Sequence, residues 1–306
     1  MSAQPNYVAG ALDGLDAAIA RTVLYAALFD YPLTLAQLRR TLIGSAQTEA
    51  AILAQYVSSA PLRAAIDYRD GFFFPHGRAE LIAVRRHRET RSRAFVHRHR
   101  LLLTLVAAMP YVRLLAVSGS VAHLNLDGDG DLDLFVIARG RRVWSVAVAV
   151  VLLAKILGQR RTVCANFVLA DGRMALDQRD LFTANQIIHL KPLAGADALD
   201  EFMQANPFVA AFYPNAASAD ATPFPFRPAF VVPRVLGRVA EYLLALPSAA
   251  AEAACRRAYG WHLRRRAPSW QSPDQVRLER DCLKLHTRSH RRSILHDFDS
   301  LIRKWL

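Results

Sequence analysis

Residues 116–139 read AVSGSVAHLNLDGDGDLDLFVIAR, and the fold turns on how they are parsed. Just upstream, VRLLAV (112–117) has the apolar density of a short buried strand, closed by the sharp turn Ser118-Gly119-Ser120. Leu132–Ile137 is a second apolar strand. Asp131 and Asp133 alternate with Leu132 and Leu134, so on a strand both carboxylates project from one face. Carboxylates that close repel, and the pair is favoured where a divalent cation sits between them. A few hard oxygen donors suit Mg²⁺ or Mn²⁺, which binds substrate phosphates as well. Ten residues separate Gly119-Ser120 from Asp131. A glycine in a turn lets backbone approach a phosphate, and a serine hydroxyl with nearby amides holds its oxygens.

A hydrophobic strand, Gly-Ser, ten residues and an apolar-flanked Asp-Leu-Asp-Leu resembles the signature of the DNA polymerase beta-like nucleotidyltransferase superfamily. The likeness covers roughly residues 110–170. It implies a metal held by Asp131 and Asp133, and a nucleoside triphosphate, ATP by expectation, held at Gly119 and Ser120. Active members of that superfamily usually carry a third carboxylate on the next core strand. Here that strand, RTVCANFVLAD, offers Asn166 as its best-placed polar residue. An amide can ligate a metal through its carbonyl but brings no charge and cannot act as a base. Asp171 and Asp177 are the substitute carboxylates, Asp171 in a turn. Arg139, Arg141 and Arg142 are candidate phosphate partners, and His123 is either a phosphate contact or a surface residue.

Other readings of the acidic run fit less well. Counted from Asp127 as a calcium loop, its sixth and twelfth positions hold Leu132 and Ala138 where glycine and glutamate are needed. Asp127 and Asp129 are then loop residues. His286 and His290 stand four apart, but no glutamate completes a zinc-protease pattern, and a solvated basic helix accounts for them. No Ser-His-Asp arrangement or nucleophile elbow is apparent.

Working outward, the spacing predicts a helix over 142–158, a third strand over Thr162–Leu169 and a hairpin return over Met174–Leu176. The expected fold is α/β (α+β), a nucleotidyltransferase core with a mixed sheet. Before it, residues 1–78 read as a winged-helix unit. A helix stops before Pro32, Thr34 caps a second, a third runs from Thr48 to Val57, and Asp70-Gly71 turns a hairpin. The third helix, TEAAILAQYV, has no Lys or Arg, so dimerisation or domain docking is expected of this unit rather than DNA reading. Residues 79–212 form the core domain, opening with one long helix over 79–108 rich in Arg and His. That helix is either a solvated face or a phosphate track. Residues 213–306 are a Pro- and Ala-rich linker and a helical region, with helices expected over 231–254 and 274–306.

Composition sets the bounds. The 306 residues are 53% hydrophobic and 21% charged, which suits a folded globular chain. Three scattered cysteines, Cys164, Cys255 and Cys282, exclude a disulfide framework and a structural zinc site and read as small apolar residues. The start of the chain shows no signal peptide, and the apolar run 143–157 is too short for a bilayer span. A cytoplasmic location without membrane contact is expected. The net charge of +13 is concentrated in residues 63–100, ten basic against four acidic, and 256–306, thirteen against five. Two functions are compatible with this. One is transfer of a nucleotidyl group from an NTP to a protein, small-molecule or RNA acceptor. The other is a weakened nucleotidyltransferase fold that binds nucleotide or nucleic acid in a regulatory role, the basic helices serving as the nucleic-acid surface. Assembly into a homo-oligomer is open to either.

Overall fold

A computed structural model describes residues 12, 14–128, 130–216, 224–231, 234–243 and 245–305. Helix α1 (Gly14–Ala27) buries Ile19, Ala20, Val23 and Leu24, the spacing of one helical face. After a turn at 28–30 come β1 (Leu33–Thr34) and α2 (Leu35–Arg40). Thr34 caps α2 in a reciprocal box: its hydroxyl accepts from the Gln37 amide at 3.3 Å, and the Gln37 side chain accepts from the Thr34 amide at 3.1 Å. Thr48 caps α3 (Glu49–Ser58), and Ser59 opens α4 (Ala60–Ala65), a short helix the sequence reading did not separate. Strands β2 (Ile66–Arg69) and β3 (Phe72–Pro75) close on Asp70 and Gly71, both at positive φ as a two-residue hairpin turn requires. Their sheet has the order β1-β3-β2.

The helix expected over 79–108 is two, α5 (Glu80–Arg98) and α6 (Arg100–Ala107). They divide at His99, which leaves helical geometry and turns its ring nitrogen onto the Phe95 carbonyl at 2.9 Å. There follow β4 (Val112–Ser118), α7 (Gly119–Ala122), β5 (Leu132–Ala138), α8 (Val143–Ile156), β6 (Val163–Ala170), α9 (Leu181–Ile188), β7 (Lys191–Ala194), α10 (Ala196–Gln204) and α11 (Phe208–Phe212). The chain continues through α12 (Arg234–Leu243), α13 (Ala245–Arg266), β8 (Val276–Leu278), β9 (Cys282–Leu285) and α14 (Arg291–Trp305).

Six strands form one mixed sheet in the order β7-β4-β5-β6-β9-β8. Only β5 and β6 run parallel, with α8 as the crossover. Alternation along β5 sends Leu132, Leu134 and Val136 to one face, against Trp144, Ala147 and Val150 of α8. Phe135 and Ile137 face the other way, against Leu199 and Phe202 of α10 and Ile187 of α9. The architecture is α+β. Glu252 of α13, itself buried, accepts from the Trp144 and Ser145 amides at 2.9 and 2.8 Å and so caps α8. Among the described residues no helix is long and apolar enough to cross a membrane.

Two expectations along the chain are corrected. Met174–Leu176 forms no strand, and the free edge of β6 pairs instead with β9. Residues 274–306 are not one helix, because 276–285 are a β-hairpin joined to the core sheet. The arginines and lysine at 277, 280, 284, 288 and 291 are spaced three and four apart, which mimics a helical face. Packing followed the other period: Cys282 and Leu283 are buried on opposite faces of the sheet, as only a strand allows. The sheet therefore draws on strands from both sides of residue 213.

Candidate functional site

Strands β4 and β5 pair antiparallel with Ser118 opposite Asp133, so the end of one strand delivers the Gly-Ser turn beside the carboxylates that begin the next. Gly119 sits at φ +66°, and a Cβ placed on it would meet the Asp133 carboxylate oxygen at 2.5 Å. Only glycine meets both demands, the left-handed backbone and the close approach. The loop from 123 to 131 is anchored at its base. Asn125 donates from its backbone to the Ser120 carbonyl at 2.9 Å and from its side chain to the Phe29 carbonyl at 2.8 Å. The Leu126 amide donates to the buried Ser92 hydroxyl at 3.0 Å.

Asp133 lies within β5 and Asp131 just before it. Burial, with Asp131 adding to it, pushes the Asp133 carboxyl up from 3.8 to about 7. Burial also raises Asp131. Among the described residues neither carboxylate has a cation within ion-pairing distance, so the pair holds its charge uncompensated. The pairing of β5 with β6 slips between Asp133–Cys164 and Phe135–Phe167, giving β6 one extra residue there. The bulge brings the Asn166 amide into a hydrogen bond with Asp133. Cys164 lines the same spot, its thiol pushed up to about 11 by burial and by Asp133 and Asp131. Gly119, Ser120, Asp131, Asp133 and Asn166 all border one cavity of about 660 Å³.

Most of the other sequence candidates fall elsewhere, though His123 and Asp177 border the cavity. Arg139, Arg141 and Arg142 stand at the far end of β5, about 20 Å of strand from Asp133. Arg139 faces Glu241 at 3.5 Å there, and Arg142 lies over the Tyr111 ring. Asp171 is at the same far end, accepting from the Gly140 amide at 3.0 Å. Asp177 borders the cavity but faces Arg173 at 3.5 Å. His123 is half-buried and borders the same cavity as Gly119 and Ser120; its ring lies tilted against His189 with centroids 4.0 Å apart and meets Tyr31 edge-on. Asp127 faces Arg88 at 3.1 Å, and Asp129 lies outside the described residues. His286 and His290 flank a turn between β9 and α14 and share no helix.

Two members of the basic run in α5 are structural. Arg85 is buried, 3.6 Å over the Tyr31 ring and donating to the Pro32 carbonyl at 3.0 Å. Arg88 donates to the Phe29 carbonyl at 3.2 Å and faces Asp30 and Asp127. They fasten the N-terminal unit to the core. Sequence reading missed Gln178, Lys284 and His286 on the cavity wall. The alternation of C-L-K-L-H over 282–286 was the signal that could have placed Lys284 and His286 on one sheet face.

Comparison of the chain with protein-family models, curated proteins and solved structures finds no match.

Proposed function

We propose that the chain is a metal-dependent nucleotidyltransferase of the polymerase beta-like kind, moving a nucleotidyl group from an NTP, ATP by expectation, to an acceptor. The observation that carries this reading is the close packing of Gly119 on Asp133. It sets the Gly-Ser turn directly against an uncompensated carboxylate pair, both bordering a cavity of about 660 Å³. In the same reading residues 14–75 are a winged-helix unit, supported by their order of helix, strand, three helices and hairpin. Its third helix carries no cation, so the unit serves docking.

The donor set fits Mg²⁺ or Mn²⁺. Asp131 and Asp133 offer hard oxygens, and an ion would offset the electrostatic cost recorded in the raised Asp133. Among the described residues no three His, Cys, Asp or Glu side chains are grouped to hold an ion, so Asp131 and Asp133 would hold it together with oxygens from outside the chain. When bound, the ion neutralises charge on the phosphates. The Gly119 turn and the Ser120 hydroxyl seat the triphosphate and hold its α-phosphorus in line with the acceptor. The acceptor oxygen bonds to that phosphorus as the bridging P–O bond breaks and pyrophosphate leaves. The acceptor's proton passes to water, because Asn166 has no basic group to take it.

Calorimetric titration of ATP with and without Mg²⁺ tests this. Metal-dependent binding that disappears in Asp131→Ala/Asp133→Ala is expected. No binding of any NTP to well-folded protein would remove the reading. Asn166 favours a second one, in which the site binds nucleotide without efficient transfer. Under it, Asn166→Asp raises pyrophosphate release from ATP at least tenfold over the wild type, whereas a fully active site gains nothing from the change.

A further inference from the structure

We propose that the cavity beside the carboxylate pair also seats an anionic group of the acceptor, a phosphate or a carboxylate, between Lys284 and Arg277. This assignment of acceptor class rests on the transferase reading above.

The placement follows from the sheet. Asp133, Phe135 and Ile137 share a face of β5 by alternation, and Phe167 stands opposite Phe135 on β6. Lys284 stands opposite Phe167 on β9, and Arg277 opposite Lys284 on β8. All point to the face that carries the carboxylates. Two strand spacings and an offset of two residues put Lys284 about 10–12 Å from Asp133. Arg277, Lys284 and His286 border the same cavity as Gly119 and Asp133.

The charges on that wall do not balance internally. Arg291 is held by Asp180 and Arg173 by Glu279 and Asp281, while the exposed Arg288 forms no ion pair among the described residues. Lys284 instead donates to the neutral Gln178 amide oxygen, and Arg277 donates to the carbonyls of Asp274 and Val276. Like charges directly opposite on antiparallel strands repel; Asp180 acts on Lys284 only at a distance, and among the described residues no carboxylate ion-pairs with either cation. Burial and the neighbouring Arg277 lower Lys284 from 10.5 to about 8. Burial and Lys284 in turn hold His286 neutral, down to about 4, so its ring is free to share a hydrogen bond with a bound oxyanion. An anion between the two cations satisfies all three groups. The seat is far enough from the carboxylates that an acceptor anchored there can reach the α-phosphorus with its other end.

The test is calorimetric titration of the full chain with inorganic phosphate, and with acetate in a second arm, without metal. The tighter of the two probes names the anchoring group. Binding is expected to weaken at least tenfold in Lys284→Gln and in Arg277→Gln and to survive in Lys284→Arg, which serves as the folding control. Ser120→Ala reports whether the probe sits at the Gly-Ser turn instead. Unchanged anion binding in both cavity variants, or loss only in Ser120→Ala, overturns the seat. Parallel loss of Mg²⁺-ATP binding in Lys284→Gln gives the seat to the nucleotide's own phosphates and overturns the acceptor assignment. Anion binding that depends on Lys284 in a chain that binds no NTP removes the transferase reading and leaves the anion site standing.

Discussion

Replacing Asp133 by Asn is expected to stabilise the metal-free protein at pH 8, although it removes a central residue of the proposed site. Burial and Asp131 lift the folded-state carboxyl from 3.8 to about 7. A group that binds its proton more tightly when folded makes stability fall as pH rises through that window, and the loss is complete above about pH 7. At about 1.4 kcal/mol for each tenfold in the ionisation constant, the ceiling is about 4 kcal/mol. Asp133 borders an open cavity, and screening reduces this to about 1–2 kcal/mol. Asn is nearly isosteric and keeps an acceptor for the Asn166 amide. In EDTA at pH 8, scanning calorimetry should therefore place the variant's Tm about 2–5 °C above the wild type. At pH 5 the wild type has regained much of its proton, and only about a third of the gap should remain. With Mg²⁺ the gap should narrow, since an ion that binds the folded wild type raises its Tm and finds no full site in the variant. A variant less stable than the wild type at pH 8, or a gap that ignores pH, would refute the electrostatic account of the pair. Equal stabilisation of both proteins by Mg²⁺ would show that the ion binds elsewhere.

Gly119→Ala places a side chain at φ +66° and 2.5 Å from the Asp133 oxygen. It should cost about 1–3 kcal/mol in a chemical melt and weaken ATP binding more than tenfold, because Asp133 must move aside. Glu252→Ala strips two amides of α8 of their acceptor; a loss of about 2–3 kcal/mol is expected in the same assay, with a stable variant refuting the cap. Arg88→Ala removes the tie between the Phe29 carbonyl, Asp30 and the 123–131 loop. Hydrogen exchange of the Asn125 and Leu126 amides should speed up about tenfold while β4 and β5 stay protected.

The chemistry of the site was more legible in the sequence than its surroundings. Strand alternation and turn chemistry are local, so Val112–Ser118, Leu132–Ala138 and the Asp70-Gly71 hairpin could be read within a few residues of their observed limits. The Thr34 cap is equally local. What could not be read depends on partners distant in the chain. The β9 strand is defined by its pairing with β6 more than a hundred residues earlier, and its basic residues follow a helical period by coincidence. The arginines of α5 looked like a surface charge run, yet Arg85 is covered by Tyr31 and Phe72, on residues that helix periodicity does not connect. The half-buried setting of His123 was hidden for the same reason, since its neighbours Tyr31 and His189 come from either side of the core.

Asn166 joins the stability of the site to its chemistry. Its place beside Asp133 depends on the β6 bulge, because without the extra residue the alternation would turn the amide to the opposite face. A carboxylate at 166 would set a third negative charge beside an Asp133 carboxyl that burial and Asp131 already raise to about 7, with no cation among the described residues to answer it. The amide instead donates a hydrogen bond to Asp133, which favours the ionised form. Burial and Asp131 outweigh that bond, so the charge of the pair remains costly in the absence of an ion. In the proposed transferase the exchange of carboxylate for amide lowers the cost of folding the empty site and gives up a proton acceptor. A reaction run from such a site depends on positioning and on the leaving pyrophosphate rather than on a strong base. An acceptor anchored at a distance by its own charge suits that chemistry, since held orientation takes the place of general-base activation.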